Sequence, residues 1–315
     1  MIQRGKVLEH LFDKPLKMQE NRVSYLIPGG TMLDAFYGHK SEDNTQPSQA
    51  WLASVVESAV GKNGTGLSRL TADDGACLFR DLLNSHGDDF LGPQNVERYG
   101  NTPGFLLKLL NSSHRLLVQT HPDKTRALKY FGKPFGKTEV WYVAATEEGA
   151  TAYAWMGFKP HVSPEQFQKL IEKQDTSSIL DCLCRFEIKK GDILIIRPGT
   201  PHTLGAHSLV VELQEPIDIT LRAERILFNG TELPEESLHS GIGMEALLDS
   251  FLFAPKDMQE VKDKFFICPE INYPAPGCSE KKLITNRTTS CFSMSEFSIN
   301  GGQNFNKTKK AIKMG

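Results

Sequence analysis

From about residue 116 to residue 227 the chain is written in short apolar runs, rich in β-branched and aromatic residues and cut off by glycine, proline and charged clusters. Runs at 140–145, 150–157, 184–189, 192–196 and 209–213 each have the length and composition of a strand. Many short strands at such spacing predict a sandwich or barrel. One helix interrupts them, opened by Ser163 as N-cap and Pro164 at the first helical position and continuing to about Glu172. Ahead of this part, Trp51 opens a buried strand over 51–57, and a helix capped from Thr71 is expected over 75–83, with Leu78, Phe79, Leu82 and Leu83 on one face. Residues 103–110 form a second short apolar element. After Asn229 the pattern changes: 238–253 is expected to be helical, Phe265 and Phe266 to open a strand, and 291–300 to alternate as another.

Composition narrows the class. With 39% hydrophobic and 23% charged residues over 315 positions, the chain has the make-up of a globular protein with a sizeable core. A formal charge of −2, with no Lys/Arg stripe, offers no electrostatic footprint for nucleic acid or an anionic membrane. No apolar run reaches the length of a membrane span, and the start Met1-Ile-Gln-Arg-Gly-Lys lacks a signal-peptide core. The six cysteines (77, 182, 184, 268, 278 and 291) have neither C-x-x-C pairing nor the density of a secreted scaffold, which points to reduced thiols and a cytoplasmic setting. Cys182 and Cys184 fit a strand face better than a ligand pair. The run Gly61-Lys-Asn-Gly-Thr-Gly66 is a flexible loop; without a following Lys-Ser/Thr it does not bind a nucleotide.

Candidate chemistry gathers around 116–142. Gln119 and His121 stand two apart after a strand-like run, so their side chains share one face and can converge on one point. Glu139 precedes the next strand and can add a carboxylate, while His202 follows a tight Pro-Gly turn. Such a mixed oxygen and nitrogen set suits zinc or another divalent first-row ion and leaves coordination open for water or substrate.

Gln119-Thr-His121-Pro-Asp-Lys, Gly136-Lys-Thr-Glu139-Val-Trp-Tyr, Arg197-Pro-Gly-Thr-Pro-His202-Thr-Leu-Gly and Val211-Glu-Leu-Gln before Asp218-x-x-x-Arg222 resemble the motifs of the type I phosphomannose isomerases, in that family's order. The resemblance runs from about Arg22 to Leu227. It implies a mainly β fold, the cupin double-stranded β-helix or jelly-roll barrel, with a small helical insertion over about 68–112. It also implies one zinc ion on Gln119, His121, Glu139 and His202, and interconversion of mannose 6-phosphate and fructose 6-phosphate through an enediolate. Lys137 and Arg222 are then the expected substrate-binding residues, and Arg222, Lys137 and Asp218 the catalytic ones; which residue moves the proton stays open. Two signatures depart from the family: Pro28 stands where an aromatic is usual, and Gln49 and Ala50 replace acidic positions before Trp51. A metal- and sugar-binding cupin without turnover, and another metal enzyme on the same barrel, therefore stay as alternatives. Residues 1–235 form the expected metal-binding domain. Residues 236–315 are too few for a complete second barrel, so either that barrel is incomplete or the chain is part of a longer one; they are expected to pack as a partial barrel, with Phe265, Phe266, Phe292 and Phe297 buried, or covered by another subunit of a homo-oligomer.

Overall fold

The structure, a computed structural model, describes residues 15–40, 46–72 and 76–300. Asp73, Asp74 and Gly75 of the expected helix start, and the basic segment after Asn300, lie outside them. The chain opens with β1 (Arg22–Pro28), α1 (Met32–Tyr37) and β2 (Pro47–Leu52), followed by α2 (Phe79–Leu91) and α3 (Pro93–Tyr99). Next comes β3 (Leu106–Leu110). The helical insertion is thus narrower than 68–112: its helices end at Tyr99, and the apolar element at 103–110 is a strand. The reason lies in its neighbours, because β3 is hydrogen-bonded along both edges and four of its five residues are buried. Similarly, the strand carrying Trp51 ends at Leu52 instead of running on to Glu57.

The β-rich part runs through β4 (Gln119–Thr120), α4 (Lys124–Phe131), β5 (Glu139–Thr146), β6 (Ala152–Phe158), α5 (Pro164–Lys173) and α6 (Thr176–Asp181). It continues with β7 (Leu183–Ile188), β8 (Ile193–Ile196), β9 (His202–Leu204), β10 (Ser208–Gln214) and β11 (Leu221–Arg222). At α5 the Ser163 side chain accepts from the Gln166 amide, the cap that the sequence predicts. Two antiparallel sheets result, one ordered β1-β2-β3-β10-β5-β8 and the other β11-β4-β9-β6-β7. A single apolar cluster draws Leu110, Trp141 and Val210 from the first sheet and Met156, Cys184 and Leu204 from the second, so the core lies between them as in a jelly roll.

Past residue 235 come α7 (Glu236–His239), α8 (Met244–Asp249), α9 (Met258–Phe265), then β12 (Glu270–Ala275), β13 (Cys278–Ile284) and β14 (Met294–Ile299) in a three-stranded sheet. The expected helix over 238–253 is broken by Ser240, Gly241 and Gly243, all at positive φ. Phe265 closes a helix where a strand start was expected, because a capping box between Asp257 and Glu260 starts α9 and Val261 and Phe265, four apart, face the core. Phe265 and Phe292 are buried and Phe266 packs against the core, whereas Phe297, on the outer strand β14, is 44% exposed. Leu283, Ile284 and Phe292 share a cluster with Val140 and Ile193, which joins this segment to the first sheet.

Candidate metal centre and its cavity

Strand register assembles the site. Gln119 on β4 lies directly opposite His202 on β9, and Glu139, the first residue of β5, lies opposite Gln214 and Ile196 in the other sheet. The carboxylate therefore meets the two imidazoles across the space between the sheets. One ligand atom each of His121, Glu139 and His202 fits within 4.8 Å of the others, and all three side chains are buried. His121 Nε2 is 3.1 Å from Glu139 Oε2, and His202 Nε2 is 3.2 Å from Glu139 Oε1.

Hydrogen bonding decides which ring nitrogens face inward. His121 Nδ1 lies 3.0 Å from the Ile219 carbonyl and His202 Nδ1 lies 2.9 Å from the Thr200 carbonyl. Carbonyls only accept, so both protons sit on Nδ1 and both Nε2 atoms present lone pairs to the carboxylate. Lone pair against lone pair repels unless a cation lies between. In keeping with this, neither oxygen of Glu139 has a hydrogen-bond partner although both are buried. Burial, reinforced by the Lys137 charge, lowers the His121 pKa to about 3, which keeps its ring neutral. Burial alone would raise the Glu139 carboxyl; the Lys137 ammonium and the imidazoles outweigh it and hold the group well below the ordinary carboxylate range. Neutral imidazoles and an ionised carboxylate are the forms that bind a divalent ion, so the donor set fits one. Gln119 Nε2 is placed 3.3 Å from His202 Nε2; a half-turn of the amide puts its oxygen there as a fourth donor.

Lys137 stands beside these groups, its Nζ 3.2 Å from His121 Nε2 and 3.3 Å from Glu139 Oε2. It is also part of the wall of a cavity of about 40 Å³, together with Tyr25, Gln49, Lys108, Glu212 and Arg222. That volume holds only a few water molecules. Asp218 also lines it, and lines a larger outer cleft of about 690 Å³ flanked by Arg80 and Lys133. It therefore separates the two spaces. Its carboxylate accepts from the Ala59 amide at 2.8 Å and from Lys108 Nζ at 3.4 Å.

Asp218 and Arg222, though four apart, are not paired with each other: Asp218 faces Lys108, and Arg222 donates to the Ser237 carbonyl at 3.1 Å and toward the Tyr25 hydroxyl at 3.4 Å. Both are buried, unlike a surface pair. Sequence reasoning missed Lys108 and Glu212, an ion pair of 3.1 Å in the cavity wall. The signal was there: a lysine in the middle of Leu-Leu-Lys-Leu-Leu, and a glutamate after Leu-Val-Val, are charges at core-facing positions. Trp51, as expected, is core, with Lys108 Nζ 4.8 Å from its ring centre. All six cysteines are free thiols.

No protein-family model matches the chain. It is 36% identical over 197 residues to a probable mannose-6-phosphate isomerase of Bacillus subtilis, covering 62% of this chain and 56% of that one. It is 33% identical over 138 residues to the mannose-6-phosphate isomerase of Streptococcus mutans, covering 42% of each. The chain thus spans about half the length of these curated relatives. Among solved structures, a Bacillus subtilis mannose 6-phosphate isomerase superposes with a TM-score of 0.67 at 22% identity, covering 91% of this chain and 81% of that one. A phosphomannose isomerase variant from Salmonella typhimurium gives 0.64 at 16% identity, covering 89% and 82%. The resemblance carried by the motifs is therefore borne out as similarity in sequence, and the jelly-roll fold as similarity in structure.

Proposed function

We propose that the protein is a metal-dependent aldose–ketose isomerase interconverting mannose 6-phosphate and fructose 6-phosphate. The observation that carries this reading is the buried His121, Glu139 and His202 set with its lone pairs directed inward, opening beside a cavity walled by Lys108, Lys137 and Arg222. Zinc on these three residues and the Gln119 amide oxygen suits the borderline nitrogen and oxygen donors. Isomerisation moves a proton between C1 and C2 through an enediolate, and a bound ion would supply Lewis acidity for its oxygens. Lys137 adds a positive charge on the same side of the cavity. Arg222 presents a guanidinium suited to an oxyanion, either the enediolate or the phosphate. Asp218 is tied to Lys108 and the Ala59 amide, so its role is to position Lys108 and close the wall.

The reading also takes residues 1–235 as the metal-binding domain and 236–315 as a partial second unit braced on it, in a cytoplasmic setting where the thiols stay reduced. A coupled assay of mannose 6-phosphate against fructose 6-phosphate, on protein whose metal content is measured in the same sample, tests it. Turnover that follows metal occupancy is expected. Fully metal-loaded protein that binds sugar phosphate without isomerising it would overturn the enzyme reading and leave a sugar-binding cupin.

A further inference from the structure

Gln49 sits on β2 with its side chain in the cavity wall, two residues before Trp51 and therefore on the same face of the strand. Trp51 Nε1 lies 2.8 Å from Gln49 Oε1. An indole N–H can only donate, so this contact settles which way the amide is turned. The oxygen is used by Trp51 and the Nε2 group is left over. Among the described residues that Nε2 makes no hydrogen bond.

The acceptors nearby are already engaged. Glu212 receives Lys108 and Trp141 Nε1, the latter at 3.1 Å, and Asp218 receives Lys108 and the Ala59 amide. Around Gln49, then, the wall has a surplus of donors: the amide, Lys108 and Arg222. A ligand that fits must bring oxygens that accept without needing to donate. Phosphoryl and enediolate oxygens meet that demand, whereas a hydroxyl meets it only in part.

We infer that Gln49 is a specificity-determining residue, whose side-chain N–H group donates to an oxyanion oxygen of the bound sugar phosphate. The inference rests on the isomerase reading and deepens it. Gln49→Met is the direct test, because its thioether can still accept weakly from Trp51 Nε1 while the remaining donor is removed without adding charge. Wild type and variant, each with full metal, are compared on mannose 6-phosphate and on unphosphorylated mannose. If the oxygen belongs to the phosphate, the preference for the phosphorylated sugar shrinks at least tenfold. If it belongs to the enediolate, kcat falls at least tenfold for both sugars with KM little changed.

Gln49→Leu, which likewise has no donor and no added charge, should move the same parameter by a similar factor, with metal per chain unchanged. Either variant within twofold of wild type in kcat and KM for both sugars overturns the inference. Should the wild type prove to bind without turnover, calorimetry with fructose 6-phosphate and with inorganic phosphate keeps the two questions apart. At least tenfold weaker binding of either anion by Gln49→Met sustains the role of Gln49 although the isomerase reading has failed. Equal binding, or no binding by the wild type, overturns it.

Discussion

Replacing Lys108 with methionine removes a buried charge while keeping a side chain of similar length, so the wall loses its ion pairs without gaining a large void. Lys108 Nζ is 3.1 Å from Glu212 Oε1 and 3.4 Å from Asp218 Oδ1, and all three side chains are at most 6% exposed. Breaking a buried pair from one side leaves an uncompensated charge, at a cost of about 3–5 kcal/mol. Here two carboxylates lose their partner, but Glu212 keeps Trp141 Nε1 and Asp218 keeps the Ala59 amide, so the low end of that range, about 3 kcal/mol at pH 7, is expected. The pH dependence follows from Asp218. In the wild type burial alone would raise its pKa, but the Lys108 and Lys137 charges and the Ala59 amide together outweigh burial and hold it below the ordinary value. A depressed carboxyl stabilises the fold above the unfolded pKa of about 4 and loses that contribution only as pH falls below it. Without Lys108 the largest of these lowering influences is gone, and the Asp218 pKa rises. The variant therefore loses less stability than wild type as pH falls through its folded Asp218 pKa, and the difference between the two narrows toward acid pH. Urea unfolding at pH 8, 7, 5 and 4 measures both effects. A destabilisation below about 1 kcal/mol, or one that stays constant over this range, would refute the claim that charge pairing holds the wall.

His121→Ala and His202→Ala should abolish binding of a divalent ion, and Gln119→Ala should weaken it less because a neutral amide is the poorest donor; metal per chain after dialysis measures all three. Lys137→Ala and Arg222→Ala should each lower kcat/KM about ten- to a hundred-fold, the effect of about 1.5–3 kcal/mol per charged hydrogen bond, with metal content retained. The one that contacts the phosphate is identified by a loss confined to the phosphorylated sugar. Asp218→Asn should loosen the loop that carries Ala59, seen as faster amide hydrogen exchange at Ala59, since its N–H would then be held by a neutral acceptor. Gly66→Ala should destabilise by more than about 2 kcal/mol in urea unfolding, because Gly66 has φ of +90° and an added Cβ would come within 2.6 Å of the Trp51 ring.

Strand content and the Ser163 helix start were legible in the sequence because each depends on local rules, whereas the four candidate metal ligands were named from motifs that resemble a known family. Alternation with period two put Gln119 and His121 on one face, Pro-Gly chemistry marked the turn before His202, and buried strands are written in β-branched residues. The structure adds what local rules cannot supply. Residues 103–110 have the composition of either a helix or a buried strand, and only β2 and β10 on either side make them β3. Phe265 reads as a strand residue until the capping box upstream places it at the end of α9. Lys108 lies far along the chain from Glu212 and Asp218, and nothing in its order says that it meets them. Register across the first sheet, with Lys108 opposite Glu212, brings two of them together, and the loop before β11 delivers the third. The orientation of Gln49 depends on a single donor two residues away, and the directions of both imidazoles depend on carbonyls of Ile219 and Thr200. Sequence can state which groups are able to bind a metal or an anion. Which lone pair faces which donor is settled by the fold, because a hydrogen bond is a matter of position and angle.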